Sequence, residues 1–127
     1  MSKHQKQKYD LEERTAKFGE DSIEFLKKIP KNEITRPIVN QLVRCATSVG
    51  ANYCEADDAE SPNDFAHKIG ICKKESRESK YFFRILAKAI PELRDEIIVL
   101  WKEADELNLI FNSIYKKVKN KKKTTKS

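Results

Sequence analysis

Apolar residues recur along this chain at alternating spacings of four and three, in four successive segments. The first series is Leu11, Thr15, Phe18, Ser22, Phe25 and Ile29. A helix of 3.6 residues per turn places all of them on one face. Pro30 ends it, because the residue before a proline is driven out of the helical region. The second segment, about Glu33 to Ala59, carries Ile34, Ile38, Gln41 or Leu42, Cys45, Ser48 or Val49, Asn52 and Ala56. Pro37 lies in its first turns, where a missing amide is tolerated. Gly50 sits mid-helix at a cost of up to ~1 kcal/mol relative to alanine, and there it lets a neighbouring helix come close or the axis kink.

Ser61-Pro62-Asn63-Asp64 opens the third segment, with Ser61 as N-cap, Pro62 at the first helical position and Asp64 against the positive helix end. Its stripe is Phe65, Ile69, Cys72, Ser76, Ser79, Phe83, Leu86 and Ile90. Pro91 breaks the chain again. The fourth stripe is the cleanest: Leu93, Ile97, Leu100, Ala104, Leu107, Phe111, Ile114 and Val118. Four amphipathic helices joined by short connections pack as an all-α, antiparallel up-down-up-down four-helix bundle. The expected organisation is a basic flexible N-terminus (1–9), the bundle (10–118) and a lysine-rich, disordered tail (119–127).

Composition agrees with this and narrows the function. Three glycines and four prolines leave little turn chemistry for a sheet protein. No apolar run approaches the roughly 18–20 residues of a membrane span, and the N-terminus lacks a secretory apolar segment; a cytoplasmic protein is expected. The net charge of +6 is uneven. All 20 acidic residues lie between Asp10 and Glu106, whereas ten of the 26 basic ones are at the ends, so the body is mildly acidic. Lys116, Lys117, Lys119, Lys121, Lys122 and Lys123 make up most of the C-terminal arm. Such arms attract polyanions through salt-dependent phosphate contacts; the alternative is a tail that only keeps the protein soluble.

Catalytic patterns are absent. A di-iron bundle needs Glu-x-x-His on two helices; the chain has only His4 and His67, and no such motif. Gly19, Gly50 and Gly70 stand too far apart for a phosphate loop. Cys45, Cys54 and Cys72 match no zinc or redox spacing and read as small packing residues. Glu75 with Glu78, and Glu103 with Glu106, have helical spacing and read as solvated faces or partners of lysines. Neither an enzyme, a metal, a cofactor nor a small-molecule substrate is expected. Ser48, Asn52, Ser76 and Ser79, polar within the stripes, read as hydrogen-bonded register-setters. Tyr53, Tyr81, Phe82, Ile98 and Trp101 flank the stripes and read as an association surface. Lys73, Arg77, Lys80, Arg84 and Lys88 fall at helical spacing and form a basic stripe, part of which pairs with acidic neighbours on the competing reading.

The run Leu42-Val43-Arg44-Cys45-Ala46-Thr47-Ser48-Val49-Gly50-Ala51-Asn52-Tyr53-Cys54-Glu55-Ala56 resembles a bacterial family, as do Asp64-Phe65-Ala66-His67-Lys68-Ile69 and Lys74-Glu75-Ser76-Arg77-Glu78-Ser79-Lys80-Tyr81. These resemble the "four helix bundle protein" group, encoded in intervening sequences of large-subunit ribosomal RNA genes. The signature positions are Arg44, Ser48, Val49, Asn52, Glu55, Phe65, Lys74, Glu75 and Glu78. Ala56-Asp57 departs from the group, where a glycine follows, and leaves the length of the second helix open. The resemblance implies a homo-oligomer, typically a pentameric ring, and relatives that serve diversity-generating retroelements by engaging a reverse transcriptase and nucleic acid. It implies no catalytic residue. The reading is an oligomeric, RNA- or DNA-associated protein; the alternative is a protein–protein scaffold or reverse-transcriptase accessory subunit without direct nucleic-acid contact.

Overall fold

In the computed structural model the backbone is described for residues 10–126 and side chains to Lys121. The expectation of a flexible basic segment at 1–9 lies outside the described residues. Four helices follow in order: α1 (Leu11–Leu26), α2 (Thr35–Asp57), α3 (Pro62–Ala89) and α4 (Arg94–Lys126), with a short 3₁₀ turn at Pro91–Leu93 before the last. Each of α1, α2 and α3 packs against the next, and α4 closes back on α1. The result is a four-helix bundle.

The caps explain where the helices begin. Asp10 accepts from the Glu13 amide at 3.2 Å, and Ser61 from the Asp64 amide at 3.0 Å, each satisfying one of the unpaired first-turn donors. At α2 the start differs from the expected Glu33. Asn32 Oδ1 accepts from the amides of Ile34 and Thr35, both at 2.9 Å, and Thr35 Oγ1 donates to the Pro30 carbonyl. The helix therefore begins at Thr35, and Ile34, in its N-cap position, is 64% exposed rather than part of the buried stripe. Thr35 is buried in its place. At the other end α2 stops at Asp57, with the Ala59 amide donating to the Ala56 carbonyl.

The periodic series form the core. All six positions of the first series are buried, five of them in α1 and Ile29 just beyond it. So are Ile69, Cys72, Ser76, Ser79, Phe83 and Leu86 of α3 with Ile90 at its end, and Ile97, Leu100, Ala104, Leu107 and Phe111 of α4. Phe18 and Phe83 meet edge to face, with centroids 6.3 Å apart, so α1 and α3 touch across the bundle diagonal. Burying each such ring or branched aliphatic side chain stabilises by roughly 1.5–3 kcal/mol. Packing in α4 weakens at Val118, half-buried, and residues 119–121 are exposed. The helical backbone nevertheless runs to Lys126. No proline or glycine interrupts it, lysine is a good helix former, and cations suit a helix C-terminus.

Candidate nucleic-acid interface

The signature positions converge on the α2–α3 seam. Arg44 donates from Nη1 to Glu75 Oε1 at 3.0 Å and from Nη2 to Glu78 Oε2 at 2.7 Å. Burial opposes its charge, but the two carboxylates outweigh that and hold the guanidinium above its ordinary pKa. Ser48 donates to the Arg44 carbonyl and Asn52 to the Ser48 carbonyl, one helical turn apart each time. Lys68 of α3 pairs with Glu55 of α2. Phe65 is partly buried against the core. Arg44 and Lys68 staple the two helices, while Ser48 and Asn52 bond within α2.

A second clamp of the same design joins α1 to α4. Arg14 holds Glu103 through Nε and Nη2, both at 2.8 Å, and Glu106 through Nη2 at 2.9 Å. Its hydrogen bond to Glu103, opposed by desolvation and reinforced by Glu106, raises its pKa. Both glutamate pairs were expected to be solvated or paired with lysines; each instead serves an arginine of another helix. The arginine and its acids are distant in sequence, so local spacing could not join them.

The α3–α4 seam has a different character. Of the basic stripe, Lys80 pairs with Asp105 at 2.8 Å and stands 5.5 Å above the Trp101 ring centroid. Lys73 stands 4.7 Å above the Tyr115 ring, and Lys119 lies 5.4 Å from the same ring. Arg77, Arg84 and Lys88 are exposed and have no ion-pair partner among the described residues. On α4, Lys116 and Lys117 are exposed, as is Lys121; the side chains of Lys122 and Lys123 lie outside the described residues. Between Lys73 and Lys88 the cations extend over about 22 Å of helix.

Where α3 ends and α4 begins, the seam opens into a groove of about 550 Å³. Phe83, Ala87, Ile97, Ile98 and Trp101 supply its apolar wall. Arg84, Lys88, Arg94 and Lys102 supply its polar rim, and no carboxylate among the described residues lines it. Arg94 and Lys102 carried no signal as isolated residues; antiparallel packing brings them opposite Arg84 and Lys88.

The flanking apolar residues do not form one surface. Tyr53 packs on Phe111, with centroids 6.0 Å apart, and belongs to the core margin. Tyr81 is 57% exposed and meets Phe82 edge to face. Ile98 and Trp101 line the groove. Val99 and Leu109, 67% and 60% exposed, lie on the outer side of α4 and escaped notice because they sit beside stripe positions. Inside, Asn108 is a buried polar residue that the stripes did not flag. Its Nδ2 donates to the Lys73 carbonyl at 2.9 Å and to Ser76 Oγ at 3.2 Å.

The three thiols are all held in their neutral form. Burial pushes the Cys72 thiol up to about 12. Burial likewise raises Cys45, against the hydrogen bond from Ser79, and Cys54 is raised as well. Such thiols are neutral, not thiolates, at ordinary pH. Among the described residues no group of histidine, cysteine, aspartate or glutamate could hold a metal, and no helix is long and apolar enough to cross a membrane.

Comparison with known proteins gives the family. A solved structure from Bacteroides thetaiotaomicron VPI-5482, a protein of unknown function from the S23 ribosomal protein family, superposes with a TM-score of 0.74 at 26% identity. The match covers 83% of this chain and 97% of that one. No curated protein matches. The model of the family described as "23S rRNA-intervening sequence protein" matches residues 7–113, which include both arginine clamps and every signature position. This chain belongs to the 23S rRNA-intervening sequence protein family.

Proposed function

We propose that this protein is a non-enzymatic, homo-oligomeric bundle that associates with RNA or another nucleic acid. The α3–α4 seam carries the reading. Arg77, Arg84 and Lys88, exposed and without an ion-pair partner among the described residues, share this seam with two aromatic rings, Trp101 and Tyr115, each next to a lysine, and Asp105 is already used by Lys80. Phosphates pair with such cations, and bases have flat faces for such rings. Self-association is supported by Val99 and Leu109 on the outside of α4 and by Tyr81 on α3, apolar groups that a second subunit would cover.

Titration of RNA and DNA oligonucleotides across a series of salt concentrations tests the binding. Affinity should fall steeply as salt rises, and deletion of residues 116–126 should weaken it. Absence of binding at low salt would leave the alternative, a scaffold built through the apolar faces alone. Sedimentation tests the assembly: Val99→Glu with Leu109→Glu should shift an oligomer towards monomer, and a parent that is monomeric at high micromolar concentration refutes self-association.

A further inference from the structure

We infer that the groove between the end of α3 and the start of α4 receives an unstacked base of single-stranded nucleic acid, with the flanking phosphates held by Arg84, Lys88, Arg94 and Lys102. The inference rests on the nucleic-acid reading above and names the form of nucleic acid and the place where it is read.

Three features of the groove point the same way. Its volume, about 550 Å³, lies in the range of small-molecule sites and is ample for a planar heterocycle. Its wall is apolar and includes an indole, Trp101, beside Ile98 and Phe83. Stacking on such a ring is sequence-tolerant, because every base has a π-face. The charged residues that line it are all cationic, two from α3 and two from α4. An occupant must therefore be flat and apolar in the middle and anionic at both ends. A nucleotide within a strand answers that description. In a duplex the bases are stacked and paired away from any such wall, so only the phosphates could be used.

The rest of the seam favours a strand over an acidic peptide helix. Lys80 is neutralised by Asp105 and so orients Trp101 more than it attracts phosphate. Farther along α4, Tyr115 lies between Lys73 and Lys119, so the ring-beside-cation arrangement occurs twice. Fourteen residues separate the two rings, about 21 Å of helix. Alternating aromatic and cationic sites match a polymer that alternates bases and phosphates. A peptide helix would need one continuous apolar face.

Trp101 is the single tryptophan of the chain, so its fluorescence reports occupancy of the groove directly. The full chain is titrated at low salt with a fluorescein-labelled oligothymidine strand, with a hairpin duplex of equal phosphate number, and with an acidic amphipathic peptide. Anisotropy of the label follows total binding in parallel with tryptophan emission. The strand should quench the tryptophan and the duplex should not. Trp101→Leu should lose roughly tenfold in strand affinity, and Trp101→Phe should largely retain it. Lys88→Gln with Lys102→Gln alters only exposed residues and should weaken strand binding several-fold, which keeps the test valid if Trp101→Leu does not fold. Strand binding seen by anisotropy with unchanged tryptophan emission overturns the inference and leaves the nucleic-acid reading standing. Quenching by the peptide and not by the strand overturns it in favour of a protein partner. No binding of strand or duplex removes the parent reading as well.

Discussion

Arg44 Nη1 on α2 lies 3.0 Å from Oε1 of Glu75 on α3, and the glutamate side chain is only 8% exposed. A carboxylate with so little contact with water depends on its arginine partner to offset its burial. Arg14 grips Glu103 and Glu106 in a similar fork, but those acids are 31% and 64% exposed. The two clamps share a geometry and differ in burial, so burial sets their relative worth.

Arg44→Ala should therefore destabilise by about 1–3 kcal/mol, the cost of stranding a buried acceptor. Arg44 is itself 46% exposed, which keeps the loss below that of a fully buried pair. Arg14→Ala should cost only ~0–1 kcal/mol, because water can replace it at the acids. Urea midpoints at unchanged slope measure both. Equal losses would contradict the ranking.

Alanine at two glycines should act with opposite sign. A Cβ at Gly50 would meet Thr15 Oγ1 at 3.2 Å and the Thr15 backbone carbon at 3.4 Å, and that hydroxyl is fixed by its bond to the Leu11 carbonyl. Gly50→Ala should thus cost about 1 kcal/mol in spite of better helix propensity. At Gly19 the nearest atoms are 3.7 Å away, an ordinary contact. Gly19→Ala should stabilise by about 0.5–1 kcal/mol. Thermal melts of the two variants check the signs.

Ser22 is fully buried, and its hydroxyl has no hydrogen-bond partner among the described residues. Removing it should be neutral or stabilise by up to ~1 kcal/mol, since an unmet donor is lost along with the oxygen. Asn108→Ala should do the reverse, costing ~1–3 kcal/mol, because Ser76 and the Lys73 carbonyl lose a buried donor. Denaturant titrations in which Ser22→Ala is the weaker of the two would be inconsistent with this assignment.

The buried thiols should make the fold sensitive to alkali. Burial raises Cys72 from 9.0 to about 12. As pH climbs past about 9, the unfolded chain gives up its thiol proton while the folded chain keeps it, so stability declines until the folded value is reached. Below that window the contribution is complete. Cys72→Ala should show a shallower fall in stability between about pH 8 and about pH 10.5 than the parent. Parallel pH profiles would show that the thiol contributes nothing. In the native protein a thiol reagent should modify Cys54 first, because Cys45 and Cys72 are buried.

Much of the fold could be read from spacing because helix burial is itself periodic. Leu11 to Ile29 and Ile97 to Phe111 went inside as their 4-3 rhythm demanded. Ile34 did not, since the Asn32 and Thr35 caps start the helix after it. The candidate site was only half legible. Arg84 and Lys88 stood out as a stripe, but their opposites, Arg94 and Lys102, face them only once α4 folds back. Arg44 and Glu75 were singled out by resemblance without any hint that they touch. Tyr53 resembled a surface ring because nothing local reveals its contact with Phe111.

The helices are also joined by unlike fasteners. Ion pairs bridge α1 to α4, α2 to α3 and α3 to α4. Among the described residues none bridges α1 to α2, where Gly50 lies against Thr15 and Gly19 against Thr47. Electrolyte loosens the first kind of joint and spares the second. As ionic strength rises, the α1–α4 joint should weaken by no more than the ~0–1 kcal/mol its clamp contributes. The α1–α2 contact, made by close backbone approach, keeps its full strength, so brine would tax one flank of the molecule and leave the other alone.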